Sequence, residues 1–366
     1  YDLKIPYGPA ATQYPDHSAN RQLGVTGRSV NWLKLMSQKL NENGGKIMTD
    51  TRAQEFIRDK AGNVVGVKAT MTNGQKIDFS AKSVVLASGG YGANRAMLPK
   101  KVASYLFYGL DSETGDGLAM GKKIGAGTIN LDLVKQYPQG VETLPHHALA
   151  ATASSTDTMK KSGAIYVNRD GKRIVDELAG LGTLTKITEA QKDSIMYIVM
   201  DKAAWKQYVA KSLEDKLVAA PSDLDKWAKI VNNGYPVMAT SAKLADAAKT
   251  MGINAKGLQA TIDRWNGFVK AGADKDFGRK VLMPFGEGPY YIVEQKPRFQ
   301  TTLGGLKANV DMQILNKKGQ PIGNLFGAGC VVGGANGSDS LTAMMNSWAI
   351  ISGVVAGDSA VKNLKK

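Results

Sequence analysis

The sequence predicts an α/β chain in which one domain, built from both ends, is interrupted by an inserted α+β domain. Three observations predict this. Residues 83 to 90 read SVVLASGG, a continuous apolar run of strand length that ends in small residues. Residues 324 to 337 read NLFGAGCVVGGANG, a second strand that runs into a glycine-rich loop ahead of a closing helix. Between 136 and 297 the texture changes to long amphipathic helices with isolated strands, and the earlier β-rich texture resumes only afterwards.

Taken in order, residues 1 to 24 lack periodicity and read as loop. From Thr26 a helix is expected, with Val30, Leu33, Met36 and Leu40 as one apolar stripe and Asn43-Gly44-Gly45 as its stop. Residues 46 to 51 read as a strand. Residues 54 to 59, 64 to 71 and 76 to 80, separated by turns at Ala61-Gly62-Asn63 and Asn73-Gly74, read as a three-stranded antiparallel meander. The run at 83 to 87 follows, and Ser88-Gly89-Gly90 marks a place where backbone comes close to something. A short helix is expected near Asp116, with its carboxylate as cap. The middle section carries strands at 164 to 168 and 196 to 200, and helices at 241 to 249 and 257 to 270. The closing helix is expected from Ser340 to Val355, opened by Gly327, Gly329, Gly333, Gly334 and Gly337 with bare N–H groups.

Bulk properties exclude several classes. With 366 residues, 43% hydrophobic and 22% charged, the chain suits about two globular domains. No apolar run approaches the roughly 18 residues that span a membrane. The net charge is +15, yet the basic residues are scattered and only the NLKK tail clusters, which argues for anionic small molecules and against nucleic acid. A single cysteine, Cys330, excludes an internal disulfide or a cysteine-rich metal site. His17, His146 and His147 lack the spacing of a metal pair. Low cysteine content is compatible with an exported bacterial protein and also with a cytosolic one, the extracytoplasmic or cell-surface location being slightly favoured.

Five blocks carry a resemblance: SVVLASGGYGANR, TGDGLAMGKKIGAG, GAIYVNRDGKRIVDE, KPRFQTTLGGLKANVDMQIL and NLFGAGCVVGGANG, the last with a helix ending GVVAG. In order over almost the whole chain, they resemble the fumarate reductase and succinate dehydrogenase flavin-subunit family, which includes soluble fumarate-reducing flavocytochromes and urocanate reductases. The resemblance implies a discontinuous FAD-binding domain of Rossmann-like, glutathione-reductase type, residues 1 to 135 and 298 to 366, interrupted by a capping domain at 136 to 297 that is hinged near Gln136 and Lys296. It also implies that the family's first strand, G-x-G-x-x-G turn and acidic ribose ligand lie outside this sequence, so that these residues alone hold FAD weakly or not at all.

Carried over position by position, the resemblance sets FAD against Thr26, Gly27 and Ala53, against Ser88, Gly89, Gly90 and Asp116, and against Thr301, Gly329, Cys330, Met345 and Asn346. Cys330 stands where the family has a glutamate. The family's substrate histidine falls on Tyr137, its Thr-Glu pair on Thr156 and Asp157, and its proton-donating arginine on Leu181. Its second histidine falls on Gln300 and its second clamp arginine on Ser340, with Asn336 nearby. Tyr137 with Asp157 resembles the pair by which urocanate reductases recognise a non-dicarboxylate end; alternatively, Tyr137 packs at the cap and Asp157 is a loop carboxylate. Arg173 in GKRIVDE falls on a structural position. Fumarate is thereby disfavoured, since a buried carboxylate needs a cationic partner.

These expectations leave three functions open. The first is FAD-dependent reduction of a conjugated acceptor such as an aryl-acrylate, enone or quinone, with the Tyr137 phenol as donor or orienter. The second is flavin-mediated electron transfer with an electron-donating domain or protein and no dedicated organic substrate. The third is a silent binding protein on the same fold.

Overall fold

A computed structural model describes residues 7–9, 18–20, 23–25 and 28–364, so the Thr26 and Gly27 positions lie outside the described residues. The chain forms two compact units: Tyr1–Leu98 with Asp111–Val134 and Thr301–Lys366, and Pro99–Leu110 with Lys135–Gln300.

In the first unit, Arg28–Glu42 is a helix, and Val30, Leu33, Met36 and Leu40 are exposed on it. The expected strand at 46 to 51 begins only at Thr51, because Asp50 sits in the left-handed region (φ 55°) and interrupts extended backbone. Thr51–Arg58, Val64–Met71 and Lys76–Ser80 then form the antiparallel meander. Val84–Leu86 pairs in parallel with Pro321–Gly327, which pairs antiparallel with Gln313–Leu315. Among the described residues Val84–Leu86 is therefore an edge strand of that sheet, and Val85 is exposed. Behind it, Met312, Phe326, Ala328 and Ala356 form a core cluster with Trp348 packed against it. The closing helix is Met344–Asn363, starting later and running further than the sequence suggests, because Ala343 is left-handed (φ 67°) immediately before it.

The second unit is organised on a seven-stranded sheet around the long strand Tyr290–Thr302. Met196–Met200 and Met238–Ser241 flank the start of that strand, both antiparallel, and Leu106–Phe107 pairs in parallel with Arg298 and Phe299. Successive residues of Met196–Met200 point to opposite faces, and each face is covered. Met196, Ile198 and Met200 pack with Tyr166, Tyr208 and Trp227; Tyr197 and Val199 pack with Ile165, Leu258 and Trp265. The segment Pro99–Leu110 clusters with this unit, where Lys101 Nζ lies 2.7 Å from a Glu189 carboxylate oxygen and the Tyr105 hydroxyl donates to the same carboxylate.

Under the sheet is a buried ionic network. Arg173 pairs with Glu177 at 2.7 Å and with Asp274 at 2.8 Å, and Arg279 lies 3.2 Å from Glu177. Arg279 also donates to the carbonyl of Ala164 at 2.8 Å, and Trp265 stacks under both guanidinium groups at 4.7 and 4.9 Å. Arg173 is thus occupied in holding the fold.

Candidate functional site

In the first unit, Ser88, Gly89 and Gly90 follow the edge strand. Gly89 adopts φ 76°, which favours glycine, and a Cβ on Gly90 would come 2.3 Å from Thr302 Oγ1 and 3.4 Å from Glu113 Oε2. Thr302 Oγ1 and Glu113 Oε2 are buried without a hydrogen-bond partner. A Cβ on Gly117 would likewise strike Ser88 Oγ at 2.0 Å, so the helix Asp116–Lys123 starts directly against the same loop. Gly115, left-handed at φ 77°, occupies the cap position. The Asp116 carboxylate instead accepts from Thr114 Oγ1 at 2.9 Å and from Arg52 at 2.6 and 2.8 Å, which corrects the expected capping role. Arg52, Ala53, Asp116 and Lys123 line one cavity of about 260 Å³.

The glycine-rich loop is less open than its composition suggests. The Gly327, Gly329 and Gly333 N–H groups donate to Met312 O, Ser352 Oγ and Leu306 O, so none of the three is bare. Gly333 is needed for close packing, since a Cβ there would lie 2.3 Å from Gly305 N. The Cys330 thiol is pushed up to about 11 by burial, with the Glu113 carboxylate adding to the shift, which leaves it a poor nucleophile at neutral pH. Asn336 Nδ2 donates to Met345 Sδ at 2.9 Å, and Asn346 lies exposed in the first turn of the closing helix. Ser340 is buried, its hydroxyl donating to Leu341 O at 3.2 Å.

Burial pushes the Glu113 carboxyl up to about 7. Because folding raises this value, the protonated form stabilises the fold below the ordinary carboxyl range, and that contribution is lost as pH rises through about 7. Glu113→Gln is therefore expected to be more stable than the parent at pH 8, by about 1–3 kcal/mol. Near pH 4 the two should be equal. Chemical denaturation at both values checks this, and an equal offset at both would contradict it.

In the second unit, Tyr137 lies in the strand Val134–Leu144 and is buried. Its ring stacks on the Arg298 guanidinium at 4.2 Å, with Lys135 Nζ 5.4 Å from the same ring. Tyr108 stacks on Arg298 at 4.9 Å. Arg298 Nε donates to Gln139 O at 3.3 Å and Nη2 to Thr152 Oγ1 at 3.0 Å, whereas the buried Nη1 has no hydrogen-bond partner. Burial pulls this guanidinium down to about 10, with the Tyr137 and Tyr108 phenols acting in the opposite sense.

Thr156 and Asp157 lie on the helix Thr152–Lys161, one turn beyond Thr152. Asp157 is therefore no loop carboxylate; it lies 2.8 Å from Lys161 Nζ. Leu181, half-buried, starts the helix Leu181–Glu189, and Gln300 is exposed. Sequence reasoning missed Arg298 and Glu113. Arg298 was visible only as one basic residue in KPRF, and Glu113 as one acid ahead of TGDG.

The Gly89-Gly90 cradle, with two unpartnered buried oxygens beside it, fits a flat cofactor bearing polar ring edges. Among the described residues, no group of three or more His, Cys, Asp or Glu is arranged to hold a metal, and no helix is long and apolar enough to cross a membrane.

Comparison with known proteins converges on the same cofactor. The FAD binding domain model matches residues 10–344. The chain is 33% identical to a urocanate reductase of Eggerthella lenta over 97% of its length, covering 57% of that protein. It is 29% identical to a fumarate reductase (cytochrome) of Shewanella frigidimarina, over 95% of the chain and 57% of the relative. It is 28% identical to an NADH:acrylate oxidoreductase of Vibrio harveyi, over 91% of the chain and 32% of the relative. The open conformation of a flavocytochrome c3 fumarate reductase superposes with a TM-score of 0.75 at 26% identity, covering 94% of this chain and 58% of that one. The chain thus spans little more than half the length of the first two relatives. The family-model match over residues 10–344, the 33% identity to a urocanate reductase over 97% of the chain, and the α/β fold shared with a fumarate reductase flavoprotein together show that this chain belongs to the FAD-binding family of fumarate and urocanate reductase flavoproteins.

Proposed function

We propose that the protein is an FAD-dependent reductase of a conjugated acceptor of the aryl-acrylate, enone or quinone type, and not a fumarate reductase. The observation that carries this reading is the whole-chain likeness to a urocanate reductase, combined with neutral groups at the three positions where the family resemblance expects bases. Leu181, Gln300 and Ser340 offer no cation for a second carboxylate. Urocanate and acrylate, the compounds in two relatives' names, are alkenes conjugated to a single carboxylate.

The second unit is proposed as the cap and the first as the cofactor domain. Ser88 to Gly90, Glu113 and Thr302 would hold the isoalloxazine side, and Ala53 and Asp116 would line the cavity for a further part of the cofactor. When bound, FAD supplies a hydride to the acceptor. The chain supplies position and exclusion of water. Tyr137, fixed by its stack on Arg298, offers a phenol that donates a hydrogen bond or proton to the acceptor. An electron-donating domain or protein reduces the flavin.

Anaerobic reduction of the full, FAD-loaded protein followed by an acceptor panel tests this. Stoichiometric reoxidation by one alkene or quinone class is expected. Indiscriminate reoxidation by dyes and metal chelates would instead indicate electron transfer without a dedicated substrate.

A further inference from the structure

We infer that Arg298 is the anchor for the single carboxylate of the acceptor, a binding residue at a position distinct from the two where the family resemblance expects arginine. This deepens the reading above and rests on it for the identity of the ligand.

Arg298 is 3% exposed, and all the hydrogen bonds it makes go to neutral oxygens, Gln139 O and Thr152 Oγ1. A guanidinium buried without a countercharge is costly to maintain, and the usual resolution is an anion that meets it in the working state. Nη1 is the atom left for that anion. Two further features point the same way. Thr152 opens the helix Thr152–Lys161, whose cap residue Ala151 provides no side-chain hydrogen bond, so the positive end of the helix dipole lies beside the same guanidinium. Gly140 leaves room for the arginine stem, since a Cβ there would stand 3.0 Å from that of Arg298.

The geometry also restricts the ligand. Tyr137 and Tyr108 lie against the guanidinium, and Tyr108 is 40% exposed. A carboxylate that reaches Nη1 therefore has aromatic rings as neighbours for whatever it is attached to. One cation calls for one carboxylate, and aromatic walls suit a flat unsaturated body.

The test measures binding separately from turnover. Titration of the oxidised, FAD-loaded protein with trans-cinnamate and with its methyl ester, by calorimetry, should show the acid favoured by about 10- to 100-fold, the weight of one charge-assisted contact. Arg298→Gln should remove that preference, and Arg298→Lys should restore part of it. Equal affinity for acid and ester in the parent protein, no binding of the acid, or an Arg298→Gln protein that keeps the preference would each overturn the anchor. If Arg298→Gln does not fold, the acid-to-ester ratio in the parent and in Arg298→Lys decides. Preferential binding of cinnamate without its reduction would sink the aryl-acrylate class as the acceptor and leave the anchor standing.

Discussion

Glu177→Ala is expected to destabilise the second unit by about 3–5 kcal/mol, the cost of stranding buried charge. Glu177 is fully buried and receives Arg173 through both Nε and Nη2, at 2.7 and 2.8 Å, as well as Arg279 at 3.2 Å. Removing it leaves two guanidinium groups over Trp265, with Asp274 still paired to Arg173 and the Arg279 guanidinium without its carboxylate partner. Arg279 also ties the carbonyls of Met159, Ser162 and Ala164, so the end of the Thr152–Lys161 helix should loosen with it. Urea unfolding followed by far-ultraviolet circular dichroism measures the loss. The exposed pair Lys39–Glu42 provides the control: Glu42→Ala should leave the urea midpoint nearly unchanged, because solvent screens an exposed ion pair. Similar effects for the two variants would contradict the role assigned to the network.

The second large effect concerns specificity. The reduced, FAD-loaded protein is expected to turn over fumarate far more slowly than about 1 per second, the lower end of typical enzyme rates. Leu181 presents an alkyl chain, Ser340 spends its hydroxyl on the Leu341 carbonyl, and Gln300 is exposed. Leu181→Arg alone is expected not to rescue fumarate reduction, because catalytic groups that act as a unit are not restored singly. Stopped-flow reoxidation of the flavin by fumarate measures both proteins, and a rate near 1 per second or above in either would contradict the proposal.

Much of the fold was legible because it is local. The meander at 51 to 80, the strand at 196 to 200 and the helix Ala255–Ala271 are written in period-two and period-3.6 patterns with glycine and asparagine punctuation. What was not legible depends on partners far away in sequence. Asp50 breaks its strand through a backbone angle that its neighbours do not reveal. Pro99–Leu110 clusters with the second unit through Lys101 and Tyr105, which reach Glu189 across more than eighty residues. The bareness expected of the glycine loop failed at Gly327, Gly329 and Gly333, whose amides are satisfied from Met312, Ser352 and Leu306, contacts that composition does not encode. Arg298 escaped notice because a basic residue next to a proline reads as surface, and only the sheet pairing shows that it is interior.

The strand Tyr290–Thr302 has an evolutionary consequence. Lys76–Ser80 alternates exposed and half-buried residues, so neutral drift has every second position open to it. In Tyr290–Thr302, all eight residues from Ile292 to Phe299 are buried, because structure covers both faces of the sheet at that point. Side chains of either parity are constrained there, including the charged trio Glu294, Lys296 and Arg298. Lineages that adapt this scaffold to new acceptors would therefore change the exposed end at Gln300, the neighbouring loops and, within the buried stretch, Arg298 alone, while the rest of the eight residues stays fixed in character.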